Sequence, residues 1–295
     1  KEVYGDVSNY YATDPFHEGG ITGGMNASDI SEKVLTEMIT ADKDAVWIIQ
    51  SWQGNPTTAL LNGLDRVEKG TDHALILDLY AEKDPHYDEG RPGAEEFDKT
   101  PWLFCMLNNF GGRLGLHGHL DNLANNIPKV FNETKYIAGI GITPEASVNN
   151  PVLYDFLFET IWQDDASQKM EVIDLDTWLD DYATRRYGAE SESANQAWDI
   201  LKETVYKASL NGLGQGAPES VVNARPNLTI GAASTWGNAV ISYEKGDLEE
   251  AAALLLADYD KLKDSAGYQY DLANVLQQVL SNSAQEYQKG MSAAF

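Results

Sequence analysis

The sequence is short of cysteine and of positive charge. Cys105 is its one cysteine, so no intrachain disulfide can form. It lies in the apolar run Trp102-Leu-Phe-Cys-Met-Leu107. It therefore reads as a small buried hydrophobe, since a reactive thiol needs an exposed, electropositive setting. Lys and Arg number 21 against 46 Asp and Glu, a net charge of −25. That surplus repels phosphate backbones and anionic lipid, which argues against nucleic acid and membrane as partners. No run approaches the roughly 18 apolar residues of a membrane span. The opening Lys1-Glu-Val-Tyr-Gly5 has no apolar targeting core, so the signal of a secreted protein is expected outside this sequence. Histidines are also few, five in all. His117-Gly-His119 has no third ligand nearby in sequence, and neither metal nor cofactor is expected.

What is present is enough for a folded core: 43% of the 295 residues are hydrophobic and 23% are charged. Two regimes divide the chain. Up to about residue 165, apolar runs alternate with helix-like stretches. The runs are Ala45–Gln50, Ala74–Tyr80, Trp102–Leu107 and Tyr136–Ile142, with a shorter candidate ending near Asn9–Ala12. Each long run reads as a strand buried on both faces, as in parallel sheets. Helices are expected over 29–41, 57–68, 119–131 and 151–163. From Asp174, a good N-cap, the strand signal disappears. Helices are expected near 191–209, 229–245, 247–263 and 267–290. The fold expected is α/β over residues 1–168 and all-α over 169–295. The strands are too few for a closed eight-stranded barrel, which needs about 250 residues. Either the sheet is open, or this is the second half of a (β/α)8 barrel of the TIM type.

In such sheets chemistry sits in the loops after strand C-termini. Those loops hold Asp14-Pro-Phe-His17-Glu18, Gln50-Ser-Trp52, Asp78-Leu-Tyr-Ala-Glu82, Asn108-Asn109-Phe110-Gly-Gly112 and Thr143-Pro-Glu145. Carboxylates, amides and an indole, with no basic cluster, suit a polyol ligand. A retaining glycosidase needs two carboxylates about 5–5.5 Å apart. By position, Glu18 and Glu145 could face each other across a barrel, and Glu82 is an equal rival.

At these loops the sequence resembles glycoside hydrolase family 89, the α-N-acetylglucosaminidases. The resemblance is carried by Tyr11–Gly20, Ala45–Trp52, Leu75–Glu82, Trp102–Gly112, Gly139–Ala146 and Ala183–Gly188. It covers about residues 1–210. It implies the second half of the catalytic barrel followed by a helical domain, with the first half supplied by chain outside this sequence. It implies Glu18 as general acid/base and Glu145 as nucleophile. It also implies a sugar pocket near Trp52, Leu107, Asn109 and Phe110, with His17 and Glu82 as further candidates. Asn108 stands where the animal enzyme's pattern has histidine, which leaves leaving-group preference open. The substrate implied is a glycan ending in α-linked N-acetylglucosamine. The location implied is secreted or cell-surface for a bacterial protein and lysosomal for an animal one.

The linkage itself requires a protein nucleophile. In an α-linked N-acetylglucosaminide the 2-acetamido group is cis to the leaving group and cannot attack from the back face. A side-chain carboxylate must form the covalent intermediate. Two alternatives stay open: a glycosidase of other specificity on the same barrel, and a fragment that binds carbohydrate without catalysis.

Overall fold

The computed structural model describes residues 3, 5–16, 18, 23–87, 96–111, 113–145, 150–162, 169–207, 216–228, 230 and 239–295. They form two compact units. One joins Lys1–Leu107 to Lys129–Thr143, and the other joins Asn108–Pro128 to Pro144–Phe295.

The first unit is built on a five-stranded parallel sheet in the order β1-β2-β3-β4-β5. The strands are β1 Tyr10–Ala12, β2 Val46–Ser51, β3 Ala74–Asp78, β4 Trp102–Met106 and β5 Ile137–Ile142. Every pair is parallel and each strand lies beside its neighbour in sequence. That sequential winding is the arrangement of a βα-barrel and differs from the reversed order of a doubly wound sheet.

The strands are not buried equally on both sides. Trp47, Ile49, Ile76, Trp102 and Phe104 are fully buried on one face. Ile48, Leu75, Leu77 and Leu103 on the other face are half-buried. The expectation of two buried faces is corrected to one. Pleating sends alternate residues to opposite sides, and five strands are too few to enclose an interior face.

Helix α1 (Ala27–Ala41) covers the buried side and packs on α2 (Thr58–Leu64). The contact is close because small residues meet there. Ser28 Oγ donates to the Ala59 carbonyl at 2.7 Å and Ser31 Oγ to the Leu60 carbonyl at 2.9 Å. A Cβ at Gly63 would lie 2.4 Å from the Ser28 carbonyl oxygen, so only glycine fits. Both helices are capped by side-chain oxygens, Asn26 accepting from the Ser28 N–H and Thr57 from the Leu60 N–H. A single turn, α3 (Glu96–Lys99), precedes β4. Glu96 there accepts from the N–H groups of Lys135 and Tyr136, just before β5.

Helix α4 (Leu120–Glu133) links the units through the chain, and α5 (Pro151–Thr160) starts with proline at its first position. The rest of the second unit is helical: α6 (Leu175–Tyr187), α7 (Glu192–Glu203), α8 (Lys245–Ala257), the short α9 (Tyr259–Leu262) and α10 (Ala266–Ala294). Asp174 caps α6 by accepting from the Thr177 N–H at 2.9 Å. Gly188 ends it with φ of 76°, a left-handed value glycine adopts without strain.

Of the helix expected over 229–245, residues 229 and 231–238 lie outside the described residues, residues 239–244 are not helical, and α8 starts at Lys245. Arg186 on α6 pairs with Asp271 on α10, and Arg185 pairs with Glu159 on α5. Among the described residues, no helix is long and apolar enough to cross a membrane.

Candidate active site

Each candidate carboxylate is carried by a loop whose neighbours are held by named bonds. After β1 the chain is fixed by Trp47, whose indole N–H donates to the Thr13 carbonyl at 2.8 Å. Asn55 then donates from Nδ2 to Asp14 Oδ1 at 3.2 Å and to the Gln50 carbonyl at 2.9 Å. The loops after β1 and β2 are thereby joined just before Glu18. Glu18 is exposed and has φ of 50°. His17 lies outside the described residues.

Trp52 sits in a tight turn in which its N–H and carbonyl bond those of Asn55, each at 3.0 Å. Gln53 and Gly54 both have positive φ, 49° and 82°, as such a turn requires. The indole is half-buried and tilted 57° to the Tyr80 ring at 6.4 Å.

The ends of β3, β4 and β5 are laced together. The Ala81 N–H donates to the Cys105 carbonyl at 3.0 Å. Thr143 donates from its N–H to the Met106 carbonyl at 2.9 Å and from Oγ1 to the Leu79 carbonyl at 2.8 Å. Glu82 is 1% exposed, and its Oε1 accepts from the Leu107 N–H at 3.0 Å. Leu107 itself is 2% exposed. Asp78 is fully buried and accepts from the N–H groups of His86 and Tyr87. Burial pushes its carboxyl up to about 7 against those two bonds. Burial, followed by the charges of Asp78 and Glu82, pushes the Cys105 thiol up to about 12.

In the second unit, Asn108 takes a left-handed φ of 64° and turns the chain after β4. Asn109 is fully buried, donating to the Gly115 carbonyl at 3.2 Å and accepting from the Ala217 N–H at 2.7 Å. Both ends of that amide are therefore engaged by backbone. Gly216 allows the approach: a Cβ there would stand 2.9 Å from Asn109 Oδ1 and 3.0 Å from the Phe110 nitrogen. Phe110 is 4% exposed. The Gly111 N–H then donates to Glu145 Oε2 at 3.0 Å, and Glu145 is otherwise exposed.

Sequence reasoning named Glu145 and Asn109 as candidates, but not Gly111 as a donor to the first or Gly216–Ala217 as the clamp on the second. The glycine pair after Phe110 was the available signal for the first. The second depends on a contact 108 residues apart in sequence. His117 and His119 are buried with their rings edge to face at 4.9 Å. Among the described residues, no group of three or more His, Cys, Asp or Glu is placed to hold a metal ion.

Each unit thus carries an exposed loop carboxylate, Glu18 in the first and Glu145 in the second. Comparison with known proteins gives the family. The "Alpha-N-acetylglucosaminidase (NAGLU) tim-barrel domain" matches residues 1–164. The "Alpha-N-acetylglucosaminidase (NAGLU) C-terminal domain" matches residues 178–295. Human alpha-N-acetylglucosaminidase is 31% identical over 270 residues, 89% of this chain and 34% of that one. A family 89 glycoside hydrolase from Clostridium perfringens, solved with PUGNAc, superposes with a TM-score of 0.88 at 43% identity. That match covers 98% of this chain and 31% of the other. A variant of the Clostridium protein with two glutamates changed to glutamine, solved with its substrate GlcNAc-α-1,4-galactose, gives a TM-score of 0.87 at 42% identity. It too covers 98% of this chain and 31% of that one. The chain thus spans about a third of the length of these relatives.

Proposed function

The chain belongs to the α-N-acetylglucosaminidase family, glycoside hydrolase family 89, and from that membership we propose that the whole protein is a retaining exo-α-N-acetylglucosaminidase. It releases terminal α-linked N-acetylglucosamine from glycans. Glu145 is its nucleophile and Glu18 its acid/base. Residues 1–168 serve as the second half of the catalytic barrel and 169–295 as the helical domain.

The single observation that carries this reading is the state of Glu145. Its carboxylate is exposed on the loop after the last strand, with one oxygen held by the Gly111 N–H at 3.0 Å. A nucleophile needs that combination of access and fixed aim. In the first step the free oxygen attacks the anomeric carbon from the face opposite the leaving group. The glycosidic C–O bond breaks, and its oxygen takes the proton of Glu18. In the second step water attacks the anomeric carbon and gives its proton to Glu18. The bond to Glu145 then breaks. Two inversions return the α configuration. The acetamido group, cis to the departing oxygen, cannot replace Glu145.

The human relative is an alpha-N-acetylglucosaminidase, and the Clostridium protein was solved with its substrate GlcNAc-α-1,4-galactose after two glutamates became glutamine. The test uses the full-length protein and an aryl α-N-acetylglucosaminide. Glu145→Gln should reduce turnover by at least about 10⁴-fold, in line with the loss of a nucleophile elsewhere. The first sugar released by the unaltered protein should be the α anomer by NMR. Appearance of the β anomer would overturn the retaining assignment, and retained activity in Glu145→Gln would overturn the nucleophile.

A further inference from the structure

Gly111, whose N–H holds Glu145, is an exposed residue in a buried frame. Around it Asn108, Asn109, Phe110 and Arg113 are all buried. The Arg113 N–H closes a turn over Gly111 by donating to the Phe110 carbonyl at 3.1 Å. Glycine has the most backbone freedom of any residue, so by itself it would be the loosest point of such a loop. Its aim at Glu145 must come from its neighbours.

Those neighbours are bound to one residue, Ala217, which is itself fully buried. Before Gly111, Asn109 Oδ1 accepts from the Ala217 N–H at 2.7 Å. After it, Arg113 Nη1 donates to the Ala217 carbonyl at 2.5 Å. One bond alone would leave a hinge. Two bonds, one on each side of the turn, fix both its position and its tilt. The bond from Arg113 is charge-assisted and so the stronger kind. Its charge is balanced by Glu219, also buried, 3.7 Å from Nη2. Farther along, the Leu116 N–H donates to Gln278 Oε1 at 3.0 Å and the His117 N–H to Asn150 Oδ1 at 3.3 Å, which holds the far end of the loop. Asn109 is 0% exposed, with its amide oxygen and nitrogen both engaged by backbone, so any effect it has on a substrate passes through the loop.

We infer that Asn109 and Arg113 are positioning residues for the nucleophile, acting together through Ala217 to hold the Gly111 N–H on Glu145. The inference rests on the reading of Glu145 given above. It gives the 216–219 segment control over attack at the anomeric carbon without any contact with the sugar. Its effect therefore falls on the rate of bond formation and leaves sugar affinity alone.

The test uses full-length protein and dinitrophenyl α-N-acetylglucosaminide, whose leaving group needs no proton. Arg113→Met fills the same space but cannot donate to Ala217. It should lower kcat on the order of 10²-fold, while the inhibition constant of N-acetylglucosamine stays within about twofold. Arg113→Lys can still donate to that carbonyl and should recover most of the loss. Asn109→Ala, on the other side of the turn, should show the same split between rate and affinity. The double variant should lose little more than the worse single one, because a turn already released gains little from a second release. A control removes the carboxylate. In Glu145→Gly, added azide attacks the anomeric carbon: its N–C bond forms, the glycosidic C–O bond breaks and dinitrophenolate leaves. No aimed side chain takes part, so adding Arg113→Met should change the azide-driven rate by less than about twofold. An equal fall in that rate, an affinity loss as large as the kcat loss, or an unchanged kcat overturns the positioning role. If Arg113→Met does not fold, Asn109→Ala carries the same comparisons. If Glu145→Gly turns over at the parent rate without azide, the nucleophile reading falls and this inference falls with it.

Discussion

The N–H of Gly111 donates to Oε2 of Glu145 across 3.0 Å. It is a backbone donor, so no side-chain truncation removes it. Two substitutions separate the donor from the space around it. A Cβ at Gly111 would stand 3.5 Å from Glu145 Oε2, an ordinary contact. Gly111→Ala therefore keeps the N–H and should lower kcat only a few-fold. Gly111→Pro removes the N–H and should lower kcat on the order of 10²-fold, the size of effect seen when a reacting group loses its aim. Steady-state kinetics on an aryl glycoside with the full-length protein decides this. Equal loss in the two variants would mean that bulk matters there and the hydrogen bond does not.

The same relationship shows where sequence reading stops. Glu145 was legible only as one of several carboxylates after strand ends, and it was the family resemblance that set it apart from Glu82. The strands were legible because Trp47, Ile49, Ile76, Trp102 and Phe104 sit in dense apolar runs. Such runs do not report that Ile48, Leu75 and Leu77 on the opposite face are only half-buried, since pleating and enclosure are properties of the assembled sheet. Asn109 was expected near the sugar, and its amide is in fact spent on the Gly115 carbonyl and the Ala217 N–H. No local pattern announces a partner that far along the chain.

Asp78 should make stability depend on pH. Burial raises its carboxyl from 3.8 to about 7 in the folded protein. Between those values the folded state keeps a proton that the unfolded state has released. The contribution to stability is thus fully present below pH about 4 and is lost as pH rises through about 7, by a few kcal/mol at most. Asp78→Asn keeps the shape and stays neutral, so it should flatten this part of the profile. Urea midpoints at pH 5 and pH 8 measure it. An unchanged difference between the two pH values in Asp78→Asn would refute the assignment.

Cys105 should be inert while the protein is folded. It is 1% exposed, and burial with two nearby carboxylates pushes its thiol up to about 12. At neutral pH almost no thiolate exists, and the thiolate is the reactive form. A thiol reagent such as dithiobis(nitrobenzoate) should label the native protein far more slowly than the urea-unfolded protein, by about 10³-fold or more, because reaction then waits on opening of the core. Rapid labelling of the native protein would contradict its placement.

The second unit should depend more on one buried ion pair than on its exposed ones. Arg186 bonds Asp271 through Nε at 2.6 Å and through Nη2 at 2.9 Å. Tyr187 donates its hydroxyl to Asp271 at 3.1 Å and accepts from the Trp198 indole at 2.9 Å. Asp271 is thus the hub that joins α6 to α10, with α7 attached through Trp198. Asp271→Ala strands a largely buried guanidinium that lies over the Tyr182 and Tyr270 rings. It should cost about 3–5 kcal/mol. Tyr187→Phe removes one acceptor and one donor from the same network and should cost about 1–3 kcal/mol. The double variant should cost less than the sum, because both changes empty the same network. Arg185 and Glu159 form a comparable contact at 3.1 Å, but their side chains are 53% and 46% exposed. Arg185→Ala should therefore cost under about 1 kcal/mol. Urea unfolding of the four proteins gives the comparison. If Arg185→Ala proved as damaging as Asp271→Ala, burial would not be what gives the Arg186–Asp271 pair its weight.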